Sequence, residues 1–499
     1  MKILDDFEIH WPAPDALQAD LEALEKNRPI GVPLDHIHIG RFAPGGGLES
    51  GVVPLETIRN IANQQTNKYW FASQFLKYWM IRLDGRTRFD LTNDQATGDL
   101  LARPETALAQ LFARDEIRKD IREFIYDAFG LYFVIDPMAG GRLRIRLSQT
   151  PPTGDEQSLN QNAREFHRAA TYIKEASDGV QAYVGIITSV MSGEHRLTLI
   201  DEPEAFLHPP LARKLGYQLA SISKNRKGAL IASTHSADFL IGCIQASSAV
   251  RVVRLEYSNN KSKGNVVDPA LLEVVFKSPL LRSANVISAL FHDGVVVTES
   301  DNDRAFYSEI YYRLAESETG LPALLFVNAQ NKQTMKDIIS PLRKFGIPAA
   351  AIADVDILKD GGKVWTGWLH AAQIPEALHD GYANQRHKLL ERFVESGKEM
   401  KRGGGIGLLS VADQKAASQL FDLLDSYGVF AVRNGELENW LPELGAVGYK
   451  TDWTISALEK MGSDRQVAVM PGRQKTTYGN LCAALWLGFK IQVAMEQCS

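Results

Sequence analysis

Residues 197–209 read LTLIDEPEAFLHP. An apolar-rich run passes straight into two acids and a proline. A buried strand ending in Asp-Glu presents two carboxylates at the carboxyl edge of a sheet, where open α/β folds bind their ligands. Phosphoryl transfer needs that pair, one acid for the metal and one for the attacking water. Asp201 is the expected Mg²⁺ residue and Glu202 the residue that polarises water, while Pro203 ends the strand.

The stretch has neighbours in the right order. Downstream, GALIASTHSADFL (228–240) is a second apolar run, and it ends in Ser-Thr-His, so that His235 stands at the same sheet edge. Upstream, KEASDGVQAYVGIITSV (174–190) opens a helix at Ser177, Gly179 and Gln181. Free N–H groups at a helix start, together with its dipole, favour a phosphate. The ordered set of SDGVQ, an apolar run with DEPE, and STH resembles ATP-binding cassette ATPases of the SMC/RecF/OLD group. The resemblance implies ATP as ligand, and implies that the signature residues of one subunit face the ATP of another.

A phosphate loop of the form GxxxxGK[ST] is expected after a strand and before a helix. HIHIGRFAPGGGLESGVVP (36–54) is the stretch in that place, with Gly46, Gly47 and Gly51 as the candidate phosphate-binding glycines. Val52 and Val53 stand where Lys and Ser/Thr belong. Two readings follow: a divergent loop that still binds ATP through backbone N–H groups, or a degenerate ATPase. The presence of Glu202, His235 and the signature favours binding.

A second constellation begins at DGVVVTESDNDRAFYSEIYYRL (293–314). Glu299 ends an apolar strand, Asp301 and Asp303 follow in the turn, and a helix is expected from near Arg304. GIPAAAIADVDILKD (346–360) ends another apolar run at Asp354, with Asp356 two residues on. In an extended segment, residues i and i+2 point the same way. AVRNGELENWLPEL (431–444) adds Glu436 and Glu438 at the start of an expected helix. Oxygen ligands of this kind suit Mg²⁺ or Mn²⁺, and a pair of such ions can stabilise both oxygens of a phosphodiester displacement. Glu299 and Asp354 are the expected catalytic acids, and Asp303, Asp356 and Glu438 complete the metal set. Strand-Glu followed by strand-DxD resembles the TOPRIM domain of topoisomerases, primases and OLD-family nucleases. The residue after Glu299 is Ser300, where that family usually carries glycine, and a tight turn is the feature at stake.

The fold expected is therefore α/β. An ABC-type ATPase domain with a helical insertion spans 1–288, and a TOPRIM-like Rossmannoid domain spans 289–499. The insertion, roughly 95–175, holds a helix-rich stretch and a hairpin (LYFVIDPMAGGRLRIRL, 131–147) turning at Ala139-Gly140-Gly141, followed by a polar surface loop at 148–161. This order resembles the OLD nucleases and the related Gabija-type anti-phage ATPases. It implies a nucleotide-gated, metal-dependent nuclease acting on DNA, with RNA also open. It further implies a homodimer or larger oligomer through the ATPase domain, a defence role, and a second defence-system protein as a partner left open. The other class of function left open is a non-cleaving, ATP-responsive sensor or scaffold that controls a separate effector.

Composition agrees with a globular protein. A 45% hydrophobic share and a net charge of −5 give no sign of a nucleic-acid-coating chain, so any backbone contact must come from local patches such as Lys224, Arg226 and Lys227, or Lys398, Lys401 and Arg402. Cys243, Cys482 and Cys498 are widely spaced, which fits a reducing cytoplasm and no disulfide framework. No apolar run is long enough for a membrane span. The aromatic stretch NKYWFASQFLKYWM (67–80) has helical spacing and is expected to be core.

Overall fold

Parallel strands need a crossover of a dozen or more residues, usually a helix, and each half of this chain holds one parallel sheet connected that way beside antiparallel hairpins. The computed structural model describes residues 36–42, 48–54, 56 and 80–462, with short gaps at 86, 102–103, 153–155, 194, 196, 226–227, 259–260, 284, 318 and 440–441. Two units separate by their contacts, Met1–Val250 and Arg251–Ser499.

In the first unit, β1 (His36–Phe42) and β2 (Leu48–Pro54) form an antiparallel hairpin with Ile39 opposite Gly51. Gly51 therefore lies within a strand, and the strand–loop–helix order expected for a phosphate loop is replaced by strand pairing; Gly46 and Gly47 lie outside the described residues. The aromatic stretch 67–79, Arg226 and Lys227 also lie outside them.

β3 (Met80–Leu83) is followed by β4 (Gln95–Ala96), then by helices Ala107–Phe112 and Asp115–Phe129. The hairpin comes next, β5 (Tyr132–Asp136) against β6 (Arg142–Ser148), and β7 (Thr171–Tyr172) extends it. Gly140 and Gly141 take φ of +60° and +82°, a conformation open to glycine at no steric cost. The polar loop after β6 is not wholly surface. Glu156 is buried, both its oxygens accept from Arg122 at 2.8 Å, and its carbonyl meets the His167 ring at 2.8 Å.

The signature stretch does open a helix, Asp178–Ser192, and every residue from Gln181 onward is buried. A helix apolar on all sides is a core helix. It packs in the cluster that includes Ile81, Ile121, Phe133 and Ile200. β8 (Leu197–Asp201) lies between β3 and β9 (Ala229–Ser233) in a parallel three-stranded sheet.

The second unit starts with a hairpin of β10 (Val252–Ser258) and β11 (Lys261–Val267). Sequence patterning places residues 251–288 with the first domain, but they fall in the second unit. Arg254 is one tie to that unit, its guanidinium donating to the carbonyls of Leu290 and His292 at 3.2 and 2.9 Å. A parallel sheet follows, ordered β13-β12-β14-β15, from β12 (Gly294–Thr298), β13 (Leu324–Asn328), β14 (Ala349–Asp354) and β15 (Val429–Val432). Val295, Val296 and Val297 are fully buried, as expected of a strand covered on both faces. The register sets Thr298 beside Ile352 and Asp354 beside Val432, so the acids beyond these strands share one edge. Among the described residues no helix is long and apolar enough to cross a membrane.

Candidate functional site

The acids at the carboxyl edge of the second sheet come together. One carboxylate oxygen from each of Glu299, Asp354 and Asp356 lies within 4.8 Å of the others. Asp354 is the last residue of its strand, whereas Asp356 sits in the 3-10 turn Val355–Lys359, so it is this turn and not an extended i, i+2 alternation that brings the pair together.

Each acid is held by a different device. Ser300 donates to Asp303 through both its N–H (2.9 Å) and its hydroxyl (2.8 Å). Serine thus closes the turn by capping, with no positive φ, and glycine is not required. Asp301 and Asp303 lie in the first turn of helix Asp301–Ser317, which starts three residues before the expected Arg304. Asp356 meets Lys332, whose ammonium lies 3.1 Å from its Oδ1 and donates to its main-chain carbonyl at 2.9 Å. Lys332 also faces Asp360 at 3.6 Å. Glu438 is not in the three-acid cluster; its carboxylate accepts the Lys450 N–H at 2.9 Å.

Lys401 enters the acids from the loop after helix His379–Glu395. Its ammonium pairs with Asp354 and stands 3.9 Å from Glu299. Burial pushes Asp354 up to about 7; Lys401 opposes that shift and Glu299 adds to it. Glu299 and Asp303 are raised for the same leading reason, burial. Burial works against the charge on Lys401, yet the Asp354 and Glu299 carboxylates outweigh it and hold the ammonium above its usual range.

The set fits a divalent cation. Glu299 Oε2 and Asp356 Oδ1 are buried without a directed hydrogen bond, even though Oδ1 lies close to Lys332. Buried carboxylate oxygens without donors are costly, and hard-cation coordination is what all-oxygen sites offer. A protein cation, Lys401, already bridges two of these acids.

The first unit's residues also converge, in a more open setting. Glu202 has φ +45° and donates its N–H to the Ser233 carbonyl at 3.0 Å. A non-glycine residue in this region is strained by order 1–3 kcal/mol and must be held there. Arg88, 1% exposed, does the holding, with its guanidinium donating to the carbonyls of Asp201 (2.7 Å), Glu202 (2.9 Å) and Ala205 (3.4 Å). The Ser233 hydroxyl donates to Asp201. His235 Nε2 stands 3.5 Å from Glu202. Glu204 accepts from the Thr234 hydroxyl at 2.7 Å and the His235 N–H at 3.0 Å, joining the two strand ends. Ser177 is the N-cap of its helix and makes no side-chain cap bond, while Gln181 turns back to the Ala176 carbonyl at 2.9 Å. Gly179 packs against the turn after Glu202: a Cβ there would fall 2.7 Å from the Phe206 carbonyl oxygen.

Sequence reasoning missed Arg88, Glu204 and Lys332, and read Lys401 as part of a surface patch. Glu204 had a signal, the second acid of DEPE. Arg88 had none, since a lone arginine in a loop has no spacing to read.

Comparison with known proteins agrees with this division. Residues 60–242 match a family model described as "AAA domain, putative AbiEii toxin, Type IV TA system". Residues 290–356 match the model for the TOPRIM domain of overcoming-lysogenization-defect-like proteins. The Old nuclease of Escherichia phage P2 is 24% identical over 212 residues, which is 41% of this chain and 35% of that protein. The chain thus matches about a third of that relative's length. Two solved structures with likeness are a chain from work on ATP-driven dimerization and DNA-stimulated activation of SMC ATPases (TM-score 0.24, 15% identity, 34% of this chain and 96% of that one) and an SMC head bound to the C-winged helix domain of ScpA (TM-score 0.25, 13% identity, 49% and 71%). At such scores neither carries weight. The chain joins an AAA-type ATPase domain to an OLD-like TOPRIM domain, an α/β order of ATPase then TOPRIM that the sequence leads one to expect.

Proposed function

We propose that this protein is a nucleotide-responsive, divalent-metal-dependent nuclease. The observation that carries this reading is the cluster of Glu299, Asp354 and Asp356, half-buried and converging, with Glu299 Oε2 left without a hydrogen-bond donor. Mg²⁺ or Mn²⁺ held by these three acids, with Asp303 and Glu438 as further ligands, would polarise a phosphodiester and lower the pKa of water. The chain's own residues supply the rest. Lys401 neutralises Asp354, and Lys332 fixes Asp356. DNA is the favoured substrate, and the reading extends to a cytoplasmic protein in anti-phage defence that works as a homodimer or larger oligomer through the ATPase domain.

In the first unit, Asp201 would serve Mg²⁺, Glu202 the attacking water and His235 the γ-phosphate of ATP, with Ser177, Gly179 and Gln181 facing the nucleotide of another subunit. A second reading, an ATP-responsive scaffold that does not cleave, draws on one observation: Gly51 lies in a paired strand and Val52-Val53 follow it.

The deciding experiment is cleavage of plasmid DNA and of RNA with Mg²⁺ or Mn²⁺, with and without ATP, for wild type and Asp354→Ala. Cleavage abolished by the substitution supports the nuclease. A folded wild type that cleaves neither substrate in any condition sinks it.

A further inference from the structure

The loop GKEMKRGGG splits its basic residues between two tasks. Lys401 turns in to Asp354. Arg402, the next residue, turns out, with its side chain 60% exposed. Its guanidinium donates to the Tyr449 hydroxyl at 2.7 Å and lies 4.8 Å from the ring centre. On the same ring, Lys450 places its ammonium 5.5 Å from the centre. Tyr449 is 43% exposed. The acid that faces Arg402 is Glu399, 4.0 Å away and itself exposed.

This trio is tied to the acidic centre from both ends. Arg402 is bonded in chain to Lys401, whose carbonyl accepts from Asn439 at 3.1 Å. The Lys450 N–H is held by the Glu438 carboxylate. Lys450 itself has φ +53° and ψ −118°, outside the regions that side-chain-bearing residues favour. Such strain persists only where surroundings impose it, and it clusters at functional sites. Three bonds impose it: Glu438 takes its N–H, and Thr454 donates to its carbonyl through N–H (2.9 Å) and hydroxyl (3.2 Å). Thr451, the next residue, accepts from Asn302 at 3.2 Å, in the same helical turn as Asp303.

An acidic centre repels phosphates, so a polyanion reaches it only along flanking cations. Here two exposed cations border an exposed aromatic ring. That combination suits a single strand, whose phosphates pair with the cations and whose unpaired bases have free faces for stacking. A duplex offers phosphates and base edges but keeps its base faces stacked inside.

We propose that Arg402, Tyr449 and Lys450 form a docking lip for an unpaired nucleic-acid strand beside the acidic centre, with a base on Tyr449 and phosphates on Arg402 and Lys450. The lip rests on the nuclease reading and narrows it to strands that are single or locally opened.

The test measures binding without cleavage. Fluorescence anisotropy in EDTA compares a labelled single-stranded oligonucleotide with its duplex on the full chain. Tyr449→Ala is expected to weaken single-strand binding about 5- to 150-fold, the loss of one stacked base, and to leave duplex binding nearly unchanged. Tyr449→Phe should bind as wild type. Arg402→Ala with Lys450→Ala should lower the salt dependence of single-strand binding by about 1.4 in slope, at about 0.7 per phosphate. Equal binding by wild type and Tyr449→Ala overturns the lip, as does an equal loss for single strand and duplex. If wild type binds neither form in EDTA, the lip falls and the nuclease reading is decided by cleavage with Mn²⁺; if wild type cleaves while Tyr449→Ala binds normally, only the lip falls.

Discussion

The two acidic strand ends of this chain use the same residue types in opposite settings. After β8, Glu202 and His235 are open, with side chains 52% and 84% exposed, and order comes from the main chain: a strained Glu202 clamped by Arg88. After β12 and β14, Asp354 is 12% exposed and Lys401 26%, and order comes from charges set against charges. An exposed ion pair is worth little in water, whereas carboxylates crowded at low exposure press for a cation, a demand that Lys401 and Lys332 already meet in part. The difference teaches that the second site is prepared before its ligand arrives, while the first is held in shape but left uncovered on its ligand side.

The comparison breaks most visibly at Asp354. Asp354→Ala should lower phosphodiester cleavage by about 100-fold or more, which corresponds to about 3 kcal/mol of barrier, in an assay with Mn²⁺ at fixed protein. Next comes the clamp of the first site. Arg88→Met leaves buried carbonyls without donors and should cost about 2–4 kcal/mol of stability, read by urea unfolding, and it should reduce ATP turnover more than Glu204→Gln does. Nucleotide turnover unchanged in Arg88→Met would show that the strained Glu202 needs no clamp.

The pH dependence sharpens the contrast. Asp354 is pushed up to about 7 by burial. Below that pH it carries a proton that an incoming ion must displace, so Mn²⁺ affinity should fall as pH drops through about 7, by at most about tenfold per unit for one proton. Above it the dependence should flatten. Calorimetry across the range checks the sign: affinity that rises on acidification contradicts it. The smallest effect is expected at Ser300. Ser300→Gly removes the hydroxyl's two bonds with Asp303, one donated to the carboxylate and one accepted from the Asp303 N–H, but keeps the Ser300 N–H bond; it should change stability by about 1–2 kcal/mol and cleavage only a few-fold.

What could be read from the sequence follows from what leaves a periodic or ordered trace. LTLID, GALIAS, GVVVT and AAAIAD became parallel strands because each is an aliphatic run ending at a polar residue, and the acids at their ends followed. The hairpin at 132–148 declared itself by alternation and two glycines. The segment 251–288 did not, because β10 and β11 are largely exposed (Leu255 is 61% exposed) and their partner is one arginine reaching carbonyls about 36 residues on. The expected phosphate loop is described only in part: glycine spacing fits GxxxxG, but Gly51 pairs within β2, where Val52 and Val53 are strand formers, and Gly46 and Gly47 lie outside the described residues. Arg88, Lys332 and Lys401 act by long-range pairing, which no local spacing encodes.

The most direct test of the central claim is a calorimetric titration of Mn²⁺ into metal-free wild type, Asp354→Ala and Glu299→Gln at pH 8. The account predicts saturable binding to wild type that both substitutions abolish or weaken at least about tenfold, a loss of about 1.4 kcal/mol. Binding that is the same in all three proteins would contradict it, because the ion would then sit elsewhere than on Glu299, Asp354 and Asp356.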